Sequence, residues 1–464
     1  MKRFVLIWLL IPVFFGARAQ SLLFDGGADG SSVSVGVQYR DEDQAYLPQE
    51  GSGLLEGRFQ ASTRRRIGDA TAVQGAVSYD NGVKRGVLWN TTSDWALLSP
   101  YVTADSVGGD LRREQYRFMG RIAHRKGDWF FEAGASYRAL HEYRQVDPRP
   151  RNIVSDLTPF LSGGRVAGDY ALSLTARYRR YHQSQQTSFM NPKGANTSLL
   201  HFNGLGSVFG RFTGTSEYAG VRYRGNGFSV TALLEPLRAE GGWNASATYS
   251  LFHVSRHLTS QNEVPISRAI TQEFQVLGGW NNARLRVELG GKYALTRGLE
   301  AVIGNFKTGE YAVELELPQY ARPSFDVFAR ASYGWSQWEL SGTLGLDGMD
   351  ASVQYPYRRL QTEAAYAKLS AAWKYASGRW KLRLSPEIGG RCGVASALTL
   401  PETEAEIAAL YRYLHARWSG SSLSPALQGK VSYRGWFLSG KAGMAFYTGG
   451  YREIRAEMAI GVDF

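Results

Sequence analysis

Glu453-Ile454-Arg455-Ala456-Glu457-Met458-Ala459-Ile460-Gly461-Val462-Asp463-Phe464 is the stretch that decides the fold. Ile454, Ala456, Met458, Ile460, Val462 and Phe464 fall on one side, and Glu453, Arg455, Glu457, Ala459, Gly461 and Asp463 on the other. Side chains of a β-strand point alternately to its two faces, so this period of two describes a strand with one apolar and one polar side. The rhythm runs back through the chain. Leu427, Gly429, Val431 and Tyr433 oppose Gln428, Lys430, Ser432 and Arg434. Trp243, Ala245, Ala247 and Tyr249 oppose Asn244, Ser246 and Thr248, and Val33, Val35, Val37 and Tyr39 oppose Ser32, Ser34, Gln38 and Arg40.

An apolar strand face can pack against a second sheet or meet lipid. Three features favour lipid. The runs are long, roughly 9 to 15 residues, as a tilted membrane crossing needs. Their apolar face carries Ala and Gly, which lipid tolerates and a packed core fills poorly. Tyr and Trp gather at the ends of the runs, where an interfacial girdle sits. Tyr-Arg pairs at 39–40, 116–117, 137–138, 143–144, 178–179, 223–224 and 433–434 fit the same scheme, with Tyr outward and Arg inward. The expected fold is all-β: a transmembrane antiparallel up-and-down β-barrel with an even number of strands, about 16–20. The single cysteine, Cys392, allows no internal disulfide, so backbone pairing must carry the stability.

The N-terminus reads as a secretory signal peptide over residues 1–19. Lys2 and Arg3 precede the apolar run Phe4 to Phe15, and Ala17 and Ala19 supply the small residues of a cleavage site before Gln20. Residues 20–30 are expected to be a short periplasmic lead-in and 31–464 the barrel. Alternation that begins by Ser31 leaves no room for an N-terminal plug domain.

Tight turns at Gly127-Asp128, Gly168-Asp169, Asn281-Asn282, Ser336, Ser377-Gly378 and Arg434-Gly435 alternate with the longer connections 90–112, 185–198, 258–266, 348–360 and 393–424. Short turns on one side and long loops on the other are the outer-membrane pattern. Within 401–418, Ile407, Leu410, Tyr411 and Leu414 repeat at helical spacing, so a short amphipathic helix is expected in an extracellular loop. A barrel this wide is not filled by its wall side chains, so it is either a channel or blocked by inward loops. The connections 90–112, 185–198 and 393–424 are the candidates for blocking it.

The polar faces carry twenty basic residues against nine acidic ones, and the whole chain has a formal net charge of +12. Arg117, Arg121, Arg177, Arg222, Arg284, Arg286, Arg330, Arg383 and Lys430 are the expected basic lumen, which would favour anions over cations. Pairing of these arginines with acids inside a plugged lumen is the competing reading. Basicity also serves nucleic-acid binders, but an outer-membrane address argues against that partner. No catalytic residue, metal site or cofactor is indicated. There is no Gly-x-Ser-x-Gly elbow or phosphate-binding Gly loop. His253 and His257 sit four apart, which on a strand is about 13 Å and too far for one metal. Asp25 to Gly30 lacks the later bidentate Glu of a calcium loop.

The signal peptide, the alternating body, the segment Tyr143-Arg144-Gln145-Val146-Asp147-Pro148-Arg149-Pro150-Arg151-Asn152 and the terminal Phe464 resemble an uncharacterised, porin-like family of bacterial outer-membrane β-barrels with no assigned activity. The resemblance covers the mature chain. It implies an outer-membrane barrel that meets lipid and lipopolysaccharide and works beside an uptake complex or lipoprotein. It also implies a C-terminal signal at Phe464, with Val462 and Ile460 on its face, for the barrel-assembly machinery. Three functions compete: a passive channel for small anionic solutes, a non-catalytic accessory barrel for a lipoprotein or an uptake or secretion complex, and an outer-membrane hydrolase. The first is expected.

Overall fold

In the computed structural model, residues 22–23, 29–190, 199–210, 219–237, 241–259, 262–307, 310–401 and 405–464 are described. Ala17, Ala19 and Gln20 lie outside them.

Eighteen antiparallel strands follow one another around a closed barrel. They are β1 (Gly30–Glu42), β2 (Gly53–Ile67), β3 (Thr71–Val87), β4 (Gly109–Lys126), β5 (Trp129–Tyr143) and β6 (Arg149–Ala167). Next come β7 (Tyr170–Ser188), β8 (Gly220–Pro236), β9 (Gly242–Leu258), β10 (Val264–Asn281), β11 (Leu285–Lys307) and β12 (Glu310–Trp335). The circuit ends with β13 (Trp338–Val353), β14 (Arg358–Ser377), β15 (Trp380–Thr399), β16 (Ser422–Tyr433), β17 (Trp436–Tyr447) and β18 (Arg452–Asp463). β18 pairs with β1 from Ser32↔Asp463 to Glu42↔Glu453, and Phe464 exchanges backbone hydrogen bonds with Ser31. No edge is left open, which lipid requires because it offers no partner to an unpaired peptide group. Two helices interrupt the loops, α1 (Trp95–Leu98) and α2 (Ala405–Ser419). The expected helix over 401–418 is α2.

The outer wall is apolar in a band. Leu161, Leu174, Phe228, Phe274, Leu344 and Met458 are among its exposed side chains. A lower girdle closes the band beside the short turns: Trp129, Trp243, Trp335, Trp338 and Trp380 all face outward there. The rings of Trp338 and Trp373 lie 6.5 Å apart, tilted by 42°, and that of Trp380 lies 4.6 Å from Tyr433. An upper girdle of Tyr39, Tyr79, Tyr116, Tyr137 and Tyr178 runs above it, with Tyr79 and Tyr116 4.8 Å apart. On β5 the girdle residues Trp129 and Tyr137 are eight positions apart. At about 3.3 Å per residue and a tilt of about 40° this is roughly 20 Å of height, close to the usual apolar band of about 25 Å.

Strands run from 12 to 26 residues, longer than the period of two indicates. The excess lies above the upper girdle, where the barrel continues into water as a turret. The turret explains a second difference. The eighteen strands fall within the expected 16–20, but the weak strand read near 200–212 does not cross the membrane. Instead the short strands Leu200–Gly204 and Ser207–Val208 fold inward and join Thr103–Ala104 in a three-stranded sheet inside the barrel.

Candidate functional site: the lumen

Amphipathicity reverses between the two levels of the same strand. On β8, Phe228 faces out and Ser229 in at membrane height, while higher up Val221 and Tyr223 face in, at 0 and 1 % exposure, and Arg222 and Arg224 face out. β7 and β9 do the same: Leu174 and Tyr178 point to lipid, but Arg180 and His182 point outward above them. The reversal follows the solvent. In the membrane, water lies inside the barrel. In the turret, water lies outside it.

A dry core fills the turret. Leu98, Tyr101 and Val102 from the 88–108 loop, Phe202 and Leu205 from the inner sheet, and Ile407, Leu410, Tyr411 and Leu414 from α2 pack against inward residues of the wall such as Leu140, Val154, Val254 and Leu360. Buried polar groups tie each piece to the wall. Arg256 on β9 donates to Val102 O at 3.3 Å, Phe202 O at 3.0 Å, Asn203 Oδ1 at 2.8 Å and Ser267 Oγ at 3.0 Å, and stacks over Tyr101. Arg138 forks onto Asp94 at 2.9 and 2.5 Å, and the Tyr181 hydroxyl donates to the same carboxylate. Burial alone would raise the Asp94 pKa, but Arg138 and Tyr181 hold it well below the usual carboxylate range. Arg144, in the Tyr143–Asn152 segment, donates to Asp105 at 2.7 Å with both side chains almost fully buried. Gln185 binds Thr91 and Thr103, and Arg358 reaches Leu205 O at 2.9 Å.

Helix α2 is latched at its C-terminal end. The Arg417 guanidinium sits 4.5 Å from the ring of Tyr451 and 4.7 Å from that of Tyr447, with Tyr46 at 5.6 Å, and it donates to Gln44 O. Tyr413 donates to Ala45 O. Gly393 makes the close approach possible, because a Cβ there would lie 1.9 Å from Ser419 O. The connections 90–112 and 393–424 thus enter or cover the barrel as expected. Residues 185–188 belong instead to β7, and 191–198 lie outside the described residues.

Below the turret the lumen is wet and ionic. Asp80 receives Arg58 at 2.5 Å and Arg117 at 2.6 Å. Arg121 pairs with Glu132, Arg286 and Arg330 share Glu288, and Lys430 is 3.8 Å from Asp463. Arg177 instead bonds Thr231, and Arg383 bonds Ser385. Seven of the nine expected lumen residues are therefore inside, and most are paired. Two are not inside. Arg222 faces outward and pairs with Glu263, because the polar and apolar faces of β8 exchange above the girdle while even positions stay outward. Arg284 is exposed in the turn before β11. The sequence does carry the missed signal. On even positions of β8, Arg222, Arg224 and Asn226 give way to Phe228, and the switch marks the membrane surface. The same switch reverses the Tyr223-Arg224 pair, whereas Tyr116-Arg117, Tyr137-Arg138 and Tyr178-Arg179 keep Tyr outward and Arg inward.

Arg177, Lys381, Arg383 and Lys441 face the lumen with no carboxylate among the described residues within 4.0 Å. Three of these four flank the periplasmic side of β15–β17. There Lys374, Lys381, Arg383 and Lys430 line a cavity of about 810 Å³ in which Asp463 is the only acid. Lys374 and Lys430 are about half exposed. Leu22 lies elsewhere in the lumen, buried against Ala72 and Ala123, with its N–H on Glu132 and its carbonyl accepting from Arg64. Ile460 and Phe464 are exposed on the outer wall, as is Cys392. The closed circuit, the apolar band and the two girdles make the chain an integral β-barrel of the bacterial outer membrane.

A family model described as a family of unknown function, DUF6850, matches residues 21–464. No curated protein matches the chain. Among solved structures it is similar to the outer membrane transporter YddB of Escherichia coli, at 6% identity and a TM-score of 0.45, over 93% of this chain and 81% of that one. It is also similar to the alcaligin outer membrane receptor FauA of Bordetella pertussis, at 10% identity and a TM-score of 0.43, over 94% and 76% of the two chains.

Proposed function

The chain belongs to the DUF6850 family, and we propose from its geometry that it is a non-catalytic transport barrel for small anionic solutes, closed from outside by its own turret. The division of the lumen carries this reading: a dry, hydrogen-bonded plug above a wet, basic vestibule that opens to the periplasm. Low-dielectric walls focus the potential of Lys381, Arg383 and Lys441, which favours anions at the inner mouth. Passage requires the turret to open, and α2, seated at its C-terminal end by the Arg417 latch, is the part that moves in this reading.

Planar-bilayer recording tests this. The native barrel is expected to conduct rarely. Gly393→Val, which prevents α2 from seating, should raise the open fraction, and the reversal potential should show anion preference. Lys381→Glu with Arg383→Glu should abolish that preference. A silent Gly393→Val barrel, or cation preference in the native one, overturns the reading.

A second reading, an accessory barrel that meets a lipoprotein or an uptake or secretion complex, is favoured by exposed aromatics on an extracellular loop. Tyr355 and Tyr357 are 82 and 53 % exposed. A photocrosslinker at position 355 that captures only lipopolysaccharide in native membranes removes it. In either role, the outward row Ile460, Val462 and Phe464 serves as the assembly signal.

A further inference from the structure

We propose that the outer wall of β7–β11, just above the tyrosine girdle, binds the phosphates of outer-leaflet lipopolysaccharide. Arg180, Arg222, Arg224, Arg268 and Arg297 all point away from the barrel on this wall. Strand register sets them side by side: Asn226 lies between Arg180 and His253, Arg224 between His182 and Ser255, Ser255 beside Arg268, and Ile270 beside Arg297. Height is set by Tyr178, two positions below Arg180, whose hydroxyl donates to Asn226 Oδ1 at 2.7 Å. Two residues of strand are about 7 Å, so the guanidiniums stand where the outer leaflet places its charged headgroups.

Their partners within the chain do not neutralise them. Glu263 takes both Arg222 and Arg224, and Glu316 takes Arg268 at 2.5 Å. Among the described residues, these five guanidiniums thus form ion pairs with two carboxylates. The opposite wall at the same height is different. Arg359 is held by both oxygens of Asp350 beside Glu363, Arg452 pairs with Asp43, and Asp41 also faces outward. The basic belt therefore contrasts with the β14, β18 and β1 wall at this height.

Guanidinium forks match phosphate oxygens two at a time, and the bond strengthens at a lipid boundary, where water is excluded. Basic side chains near an anionic leaflet each add to its attraction for the protein. A phosphate-bearing lipid held by this belt would order one side of the turret and leave the α2 side, at β14–β15, unrestrained.

The test purifies the barrel from outer membranes in mild detergent and counts lipopolysaccharide per barrel from its 3-hydroxy acyl chains. Arg180→Ser/Arg222→Ser/Arg224→Ser should lower retention at least about tenfold, while Arg359→Ser on the opposite wall leaves it unchanged. Added lipopolysaccharide should restore a thermal shift to the stripped native barrel, and neither dephosphorylated lipopolysaccharide nor inorganic phosphate should. Equal retention by the triple variant, or equal shifts from the dephosphorylated lipid or from phosphate alone, overturns the proposal. If the triple variant lacks the heat-modifiable mobility of a folded barrel, Arg180→Ser and Arg224→Ser are read singly, each with a severalfold loss expected.

Discussion

Tyr178 divides β7 into two environments. Below it Leu172 and Leu174 face lipid and Arg177 faces water in the lumen. Above it Tyr181 is buried in a core, and Arg180 and His182 face outward. The backbone pairing is continuous across the division, so hydrogen bonding does not distinguish the halves. What changes is where water sits. In the membrane half, solvation is internal, and the ion pairs range from largely buried, as in Arg117–Asp80, to half exposed, as in Lys430–Asp463. In the turret half, solvation is external and the interior must be dry, so buried charged groups such as Arg256 and Asp94 are held by several hydrogen bonds. One barrel thus holds two kinds of stability: lipid-facing area and closed pairing below, a soluble-protein core above.

The comparison can be broken at its most buried point. Replacing Arg256 by Met strands two backbone carbonyls and Asn203 in the dry core and should cost about 1–3 kcal/mol for each acceptor left unsatisfied. Hydrogen exchange at 95–104 and 200–208 should rise steeply while β16–β18 keep native protection. Equal loosening of both regions would show that the turret and the membrane barrel fold as one unit.

A charge moved along one outer face sharpens the difference. Leu174→Arg should cost about 2–4 kcal/mol in lipid-refolding equilibria, and Ser184→Arg, ten residues higher on the same face of β7, less than about 1 kcal/mol. Similar costs at both heights would put the membrane surface in the wrong place.

The latch has a smaller effect. Arg417→Ala removes contacts with four tyrosine rings and should weaken α2 docking by about 2 kcal/mol. Protease cleavage within 401–421 should accelerate, while Arg417→Lys, which keeps the cation, recovers part of the protection.

Asp94 has the least effect near neutral pH. Its carboxyl is held below the ordinary value, so its contribution is fully present above the usual carboxylate range and is lost as pH falls through the lowered one. Cleavage of the 88–108 loop should therefore be independent of pH near neutrality and rise in strong acid. Asp94→Asn should show the acid behaviour at pH 7. A native barrel whose loop loosens already near pH 6 would point to a different group.

The membrane half was legible because lipid and water impose opposite demands on adjacent residues, and the period of two records them directly. Glu453 to Phe464, Trp243 to Leu251 and Lys381 to Ser385 read correctly on that ground alone. α2 was legible for the same reason at another period. The turret was not. Its segments at 199–210 and 88–108 are short and nearly without rhythm, since they are covered on all sides. The reversal that placed Arg222 outside is a change of phase, and a search for constant phase reads past it.

Local alternation therefore determined by itself that this chain closes a barrel in a membrane, because each strand's two faces meet media of opposite polarity whatever the neighbouring strands do. Whether the barrel is open, and which charges remain unpaired inside it, was decided only by tertiary structure. Those properties depend on contacts such as Arg256 with Val102 and Phe202, or Arg417 with Tyr46, whose partners lie far apart in the chain and meet only after the circuit has closed.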